Sequence, residues 1–178
     1  MNSILCTHTP NIKKILMKVK IDSHFIPVND NIVKTILSYG DELKRSSPVK
    51  ADHTRWQLHN TDRTFDYFIE RFHEIYPTHR ISEIWACVYR QGDYAEAHNH
   101  FGFDLGFAWF VDTCSSCTPL VFPDIDHPWL AKENDNVITP SNGMLYVFNG
   151  KDIHYVAPHI CDHPRIVMAG NVSKAVYN

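Results

Sequence analysis

The sequence has no apolar run long enough to cross a bilayer, which takes about 20 residues as a helix, so no membrane span is expected. Its opening stretch, MNSILCTHTPNIKKILMKVK, lacks a continuous apolar centre and a small-residue cleavage site, and no secretory leader is expected. It has no internal repeat, no low-complexity segment and nothing resembling a flexible linker. It has little net charge: the formal value is −3 and the pI about 6.4, which argues against broad electrostatic binding to nucleic acid. It has no regular cysteine framework. Five cysteines is an odd count, and a reducing, cytoplasmic setting with mostly free thiols is expected. Cys114-Ser-Ser-Cys117, with Cys161 and His163, has the residue types of a zinc site. A single CxxC whose partners lie over forty residues away is a weak signal, and two small residues in a Ser-rich loop are the expectation. What is present, 178 residues with 44% hydrophobic and 21% charged side chains, suits one soluble domain with a sizeable core.

The first eighty residues predict two helices. NDNIVKTILSYGDELKR offers Asn29 or Asp30 as N-cap, then Ile32, Val33, Ile36, Leu37 and Leu43 at helical spacing. TDRTFDYFIERFHEIY offers Thr61 or Asp62 as cap, then Phe65, Phe68, Ile69, Phe72, Ile75 and Tyr76, and Pro77 stops it. Between them SSPVKADHTRWQLHN reads as a loop with a short strand at most; its KADHTRWQLH part carries a mixture of basic and aromatic residues that could touch a substrate, and a solvated loop is the expectation. After Pro77 the texture changes. ISEIWACVYR, DLGFAWFVD, PLVFPD, NVITP, GMLYVFNG, IHYVAPH and RIVMAGNVS are short, rich in β-branched and aromatic residues, and bounded by Gly, Pro, Asp and Asn. Several are apolar on both faces, as in a sheet packed on both sides. The expected architecture is one domain over 1–178. Residues 1–80 form a helical part packed on the outer face of a β-sandwich or jelly roll built from residues 81–178.

The chemistry concentrates in EAHNHFGFD, Glu96 to Asp104. Residues i and i+2 of a strand project to one face, so His98 and His100 point the same way and can chelate one ion. FNGKDIHYVAPH then places His154 at the start of a strand after a glycine turn, and Arg165 opens RIVMAGNV eleven residues later. Arg165, Val167, Ala169 and Asn171 share a strand face that otherwise suits an interior. An arginine there needs an anionic partner, and a bound carboxylate held by the guanidinium fork would serve.

HNH, PLVFPD, PSNGMLYVF, IH and PRIV, in that order over roughly residues 84 to 173, resemble the 2-oxoglutarate- and iron(II)-dependent oxygenases. The nearest likeness is to a small group found in phage and bacterial genomes, which implies a bacterial cytoplasm, that of a phage-infected cell included. The resemblance implies a double-stranded β-helix (jelly-roll, cupin-like) core with flanking α-helices. It implies Fe(II) and 2-oxoglutarate as cofactor and cosubstrate, with O₂ and a protein or small-molecule C–H bond as the other reactants. It matches His98 and His154 to the two histidine ligands and Arg165 to the partner of the distal carboxylate. Tyr89 is a candidate for hydrogen bonding to the cosubstrate. Two departures stand out. Most of the superfamily has Asp or Glu where this chain has His100, and Arg-x-Ser members have Ser where it has Val167. The third ligand is therefore His100 in an all-histidine face, Glu96, Asp104, or a vacant position filled by an anion.

The remaining histidines, His24, His53, His59, His73, His79, His127, His159 and His163, are expected at the surface or in packing, and Trp85, Phe107, Trp109 and Phe110 in the core. Two other readings of the same residues are a three-histidine, cupin-like metalloenzyme that does not use 2-oxoglutarate, and a non-enzymatic metal- or ligand-binding jelly roll.

Overall fold

The computed structural model describes residues 19–126 and 135–175. The reading of the opening stretch and the expectation for His127 lie outside the described residues. Among the described residues eleven strands and two α-helices follow in the order β1 (Asp22–Phe25), α1 (Asp30–Tyr39), β2 (Val49–Lys50), β3 (Asp52–His53), α2 (Asp66–Ile75), β4 (His79–Tyr89), β5 (Tyr94–His98), β6 (Leu105–Asp112), β7 (Leu120–Phe122), β8 (Asn136–Ile138), β9 (Met144–Asn149), β10 (His154–Val156) and β11 (Arg165–Lys174).

Two antiparallel sheets result. The larger has the order β1-β9-β6-β11-β4-β3 and the smaller β2-β5-β10-β7-β8. From β4 onward the chain crosses from large to small sheet and back, places β7 and β8 side by side, and then winds in the reverse sense through β9, β10 and β11. That path is the double-stranded β-helix. The described segments ahead of residue 80 are not only helical: β1 and β3 extend the two edges of the large sheet and β2 extends the small one.

The central strands β6 and β11 of the large sheet are buried on both faces, as their runs of apolar residues require. Between the sheets lie Trp85, Cys87, Tyr89, Phe110, Phe148 and Val167 against Val49, Leu120, Phe122 and Val156. On the outer face Ile84, Phe107, Trp109, Leu145 and Met168 pack against Ile32 and Ile36 of α1 and Phe68 and Phe72 of α2. Each such side chain contributes about 1.5–3 kcal/mol by leaving water. Asn29 caps α1 by accepting the Asn31 N–H, and Gly40, at φ +66°, ends it. Leu43 therefore lies beyond the helix that its spacing suggested, because the left-handed glycine stops the run first. In the second helix Asp62 accepts the Thr64 N–H at the head of a 3₁₀ turn (Arg63–Phe65) that leads into α2.

Candidate metal centre

The site forms where β5 meets β10. The two strands are antiparallel, with His154 directly opposite His98. His100 lies two residues past the end of β5. Its backbone N–H donates to Gly150 O at 2.8 Å, so the turn before β10 holds the HNH segment. A Cβ on Gly150 would meet Phe103 O at 2.2 Å and His100 O at 3.0 Å, so only glycine permits this approach. The result brings a ligand nitrogen of His98, His100 and His154 within 4.8 Å of one another. His100 and His154 are buried and His98 is half-buried, so the cluster has a solvent side.

Each of the three rings is held by its Nδ1. His98 Nδ1 faces Glu96 O at 2.7 Å, and His154 Nδ1 faces Asp152 O at 3.1 Å. His100 Nδ1 faces Asn171 Oδ1 at 2.5 Å, while Asn171 Nδ2 donates to Glu83 Oε2. An oxygen acceptor at every Nδ1 places the proton there and leaves the Nε2 lone pair free. Burial pushes all three imidazoles below their ordinary range: His100 to about 4, His154 well down, and His98 in the same direction. The two buried rings are lowered further by their histidine neighbours. The neutral form is the one that binds metal. Three neutral Nε2 donors on one side suit a divalent first-row ion with positions left open.

Arg165 opens β11 opposite Tyr89 of β4. It is 1% exposed, and its guanidinium carbon lies 4.8 Å from the Tyr89 ring centroid and 5.2 Å from that of Phe110. Arg165 Nε and Nη1 have no hydrogen-bond partner. Burial lowers the affinity of this guanidinium for its proton, and the orphaned N–H groups leave a fork free to bind an anion. Arg165, Tyr89, Val167 and Ala169 line the same cavity as the three histidines. The face from Arg165 to Asn171 thus carries both the anion fork and, at its far end, the residue that orients His100.

The two carboxylates considered as third ligands are elsewhere. Glu96 is exposed, with Oε1 3.9 Å from Lys50 Nζ. Asp104 is exposed and accepts the Lys174 N–H at 2.8 Å. Among the described residues the cluster is all histidine.

The KADHTRWQLH segment, expected as a solvated loop, packs instead. His53 is wholly buried, with its ring 4.6 Å from Trp56 and 5.9 Å from Trp85. Its Nδ1 contacts Thr54 O at 2.5 Å, and its Nε2 is buried without a partner. With Trp56, Phe101, His98, His100 and Asn171 it lines a second hollow of about 230 Å³. The mixture of basic and aromatic residues in this segment was the signal for it. Only the pairing of β3 on β4 converts that signal into position.

No family model matches the chain, and no curated protein matches it. Solved structures do. The chain is similar to a viral collagen prolyl hydroxylase from Paramecium Bursaria Chlorella virus-1 in complex with 2-oxoglutarate, at 12% identity and a TM-score of 0.62, covering 88% of this chain and 96% of that one. It is similar to a prolyl-4-hydroxylase from Pseudomonas putida at 12% identity and a TM-score of 0.60, covering 90% and 96%. It is similar to HygX from Streptomyces hygroscopicus with nickel and 2-oxoglutarate bound, at 10% identity and a TM-score of 0.57, covering 90% and 84%. At these identities the likeness is one of fold, and the fold is the jelly roll of the 2-oxoglutarate oxygenases.

Proposed function

We propose that the chain is an Fe(II)- and 2-oxoglutarate-dependent dioxygenase that hydroxylates a C–H bond of a protein or small molecule and releases succinate and CO₂. The observation that carries this reading is the pairing, in one cavity, of three imidazoles with free Nε2 atoms and a buried arginine with orphaned donors. A cupin-like metal site accounts for the histidines and gives Arg165 no task.

His98, His100 and His154 would hold Fe(II), and Arg165 would pair with the far carboxylate of 2-oxoglutarate. When bound, the iron and cosubstrate supply the oxidising chemistry, using O₂. The chain's own part is to bind, orient and exclude. Three neutral imidazoles leave the ion at +2, which the dianion of 2-oxoglutarate balances. The Tyr89 and Phe110 rings lie against the guanidinium, and its Nε and Nη1 stay without a partner. Val167 replaces a hydroxyl with an apolar wall, so Arg165 carries more of the carboxylate recognition. The cavity is small, about 40 Å³. That is room for about one or two waters between the walls. The hollow lined by His53, Trp56 and Phe101 is the side from which a substrate would reach the half-buried His98. The prolyl hydroxylases and HygX with hygromycin B illustrate a protein substrate and a small-molecule substrate on this fold.

The test is succinate production from 2-oxoglutarate by the purified protein with Fe(II) and O₂, with and without Arg165→Ala. Succinate formed by the parent and lost in the variant is the expected result. Tight metal binding without any 2-oxoglutarate binding would favour the cupin-like reading. No metal binding would favour a ligand-binding jelly roll.

A further inference from the structure

The CxxC that looked unremarkable in sequence has a different surrounding in three dimensions. Cys114 and Cys117 sit in the connection from β6 to β7, and Cys161 in the connection from β10 to β11. The three sulfurs form a nearly equilateral triangle: Cys114 to Cys117 is 3.6 Å, Cys114 to Cys161 is 3.7 Å and Cys117 to Cys161 is 3.8 Å. None is disulfide-bonded, and a disulfide would in any case use two and strand the third. A tetrahedral zinc with sulfur at about 2.3 Å has S···S edges of about 3.8 Å. The triangle therefore already has the dimensions of one face of such a site.

Two of the sulfurs also have a backbone N–H aimed at them. The Cys114 N–H donates to Cys117 Sγ at 3.3 Å, and the Ser116 N–H donates to Cys114 Sγ. His159 Nε2 lies 2.9 Å from His163 O and 3.3 Å from Cys161 Sγ, and Cys161 Sγ donates to the same His163 O at 3.4 Å. The Thr118 N–H points at His159 Nδ1 at 3.5 Å, which makes Nδ1 the acceptor and puts the proton on Nε2. The backbone N–H groups favour thiolate at Cys114 and Cys117, against burial, which pushes the Cys117 thiol up to about 12. His159, expected as a packing residue, is 1% exposed and acts here as a donor rather than a ligand. His163, the imidazole that the sequence offered as fourth ligand, turns away, with Nε2 3.2 Å from Asp112 Oδ1.

We propose that Cys114, Cys117 and Cys161 bind a zinc ion as thiolates, joining the β6–β7 and β10–β11 connections, with a small donor such as water at the fourth position. This centre is separate from the histidine cluster in ligands and in chemistry, with soft sulfur donors in place of imidazole. It fastens the loop that leads, four residues after Cys161, into Arg165. Binding releases the three thiol protons and involves no change of oxidation state.

The test uses Co(II) as a probe for Zn(II), because thiolate coordination produces a sulfur-to-cobalt charge-transfer absorption that an imidazole site lacks. The His98→Ala/His154→Ala protein, purified with its thiols reduced, is expected to retain one zinc per chain. On exchange with Co(II) it should show the charge-transfer band, and zinc should abolish the band. Cys114→Ser and Cys161→Ser should each lose it. Absence of zinc and of the band from the reduced, folded protein would overturn the proposal without any cysteine variant being needed. So would a band that survives Cys161→Ser, or mass spectrometry showing a Cys114–Cys117 disulfide in protein that takes up metal nowhere else.

Discussion

Asn171 orients His100. Its side-chain oxygen lies 2.5 Å from His100 Nδ1, and its amide nitrogen is held by Glu83, so the amide cannot turn over without losing both bonds. Asn171→Leu should leave the fold intact and free the imidazole to change tautomer and rotate. Loss of such an outer partner typically weakens metal affinity about 10–100-fold. Isothermal titration with Fe(II) or Mn(II) under anaerobic conditions measures it, and parent-like affinity in Asn171→Leu would show that the contact does not orient the ligand.

His98→Ala and His154→Ala should each abolish metal binding at the histidine cluster. His100→Ala should do the same, whereas Glu96→Gln and Asp104→Asn should bind as the parent does, because those carboxylates face solvent and other partners. His100→Asp should regain part of the lost affinity by supplying an oxygen ligand, though from a shorter side chain. Metal retained by His100→Ala and responsive to chloride would instead identify an anion-completed site.

Arg165→Ala should weaken 2-oxoglutarate binding by about 2–5 kcal/mol, the usual cost of losing a buried charge-assisted pair. Arg165→Lys should fall between, keeping the charge but not the fork. Titration of 2-oxoglutarate into the Mn(II) form reads this directly. Equal affinity in Arg165→Ala and the parent would remove the anion-binding role.

Gly106 of β6 lies under the His100 ring. A Cβ there would meet Phe148 Cε2 at 2.6 Å and His100 Nδ1 at 2.9 Å. Gly106→Ala should therefore displace His100 and lower metal affinity by a larger factor than it lowers the melting temperature of the metal-free protein would suggest. Parent-like metal affinity in Gly106→Ala would mean that the ring has room to move without consequence.

The metal-free protein should lose stability in mild acid. Burial holds His53, His98, His100 and His154 neutral in the fold, with His100 down to about 4. Once unfolded these side chains titrate near about 6.5. Below that value the unfolded chain binds more protons than the folded one. Stability contributed by these groups is thus complete above about 6.5 and declines as pH falls toward the folded values, by about 1.4 kcal/mol per pH unit for each proton so linked. Urea midpoints measured in EDTA at pH 7.5 and pH 5 should show the drop, and an unchanged or higher midpoint at pH 5 would contradict it.

The sequence by itself determined the strands after Pro77, the two helices and the identity of the histidine and arginine candidates. Those features are local. Alternation puts Arg165, Val167, Ala169 and Asn171 on one face, and caps and glycines bound the helices within a few residues, whereas His100 lies past the end of β5 and is brought beside His98 by the turn at Gly150. Tertiary structure alone decided the rest. It turned Glu96 and Asp104 away from the cluster, and it set Asn171 against His100 across 71 residues of chain. It buried His53 beneath Trp56 by pairing β3 with β4, and it closed three cysteines from two loops into one triangle. These contacts come from strand register and loop crossing between segments far apart in sequence, where no periodicity links the partners. A CxxC and a distant cysteine are three unrelated letters until the crossings from β6 to β7 and from β10 to β11 bring their sulfurs together.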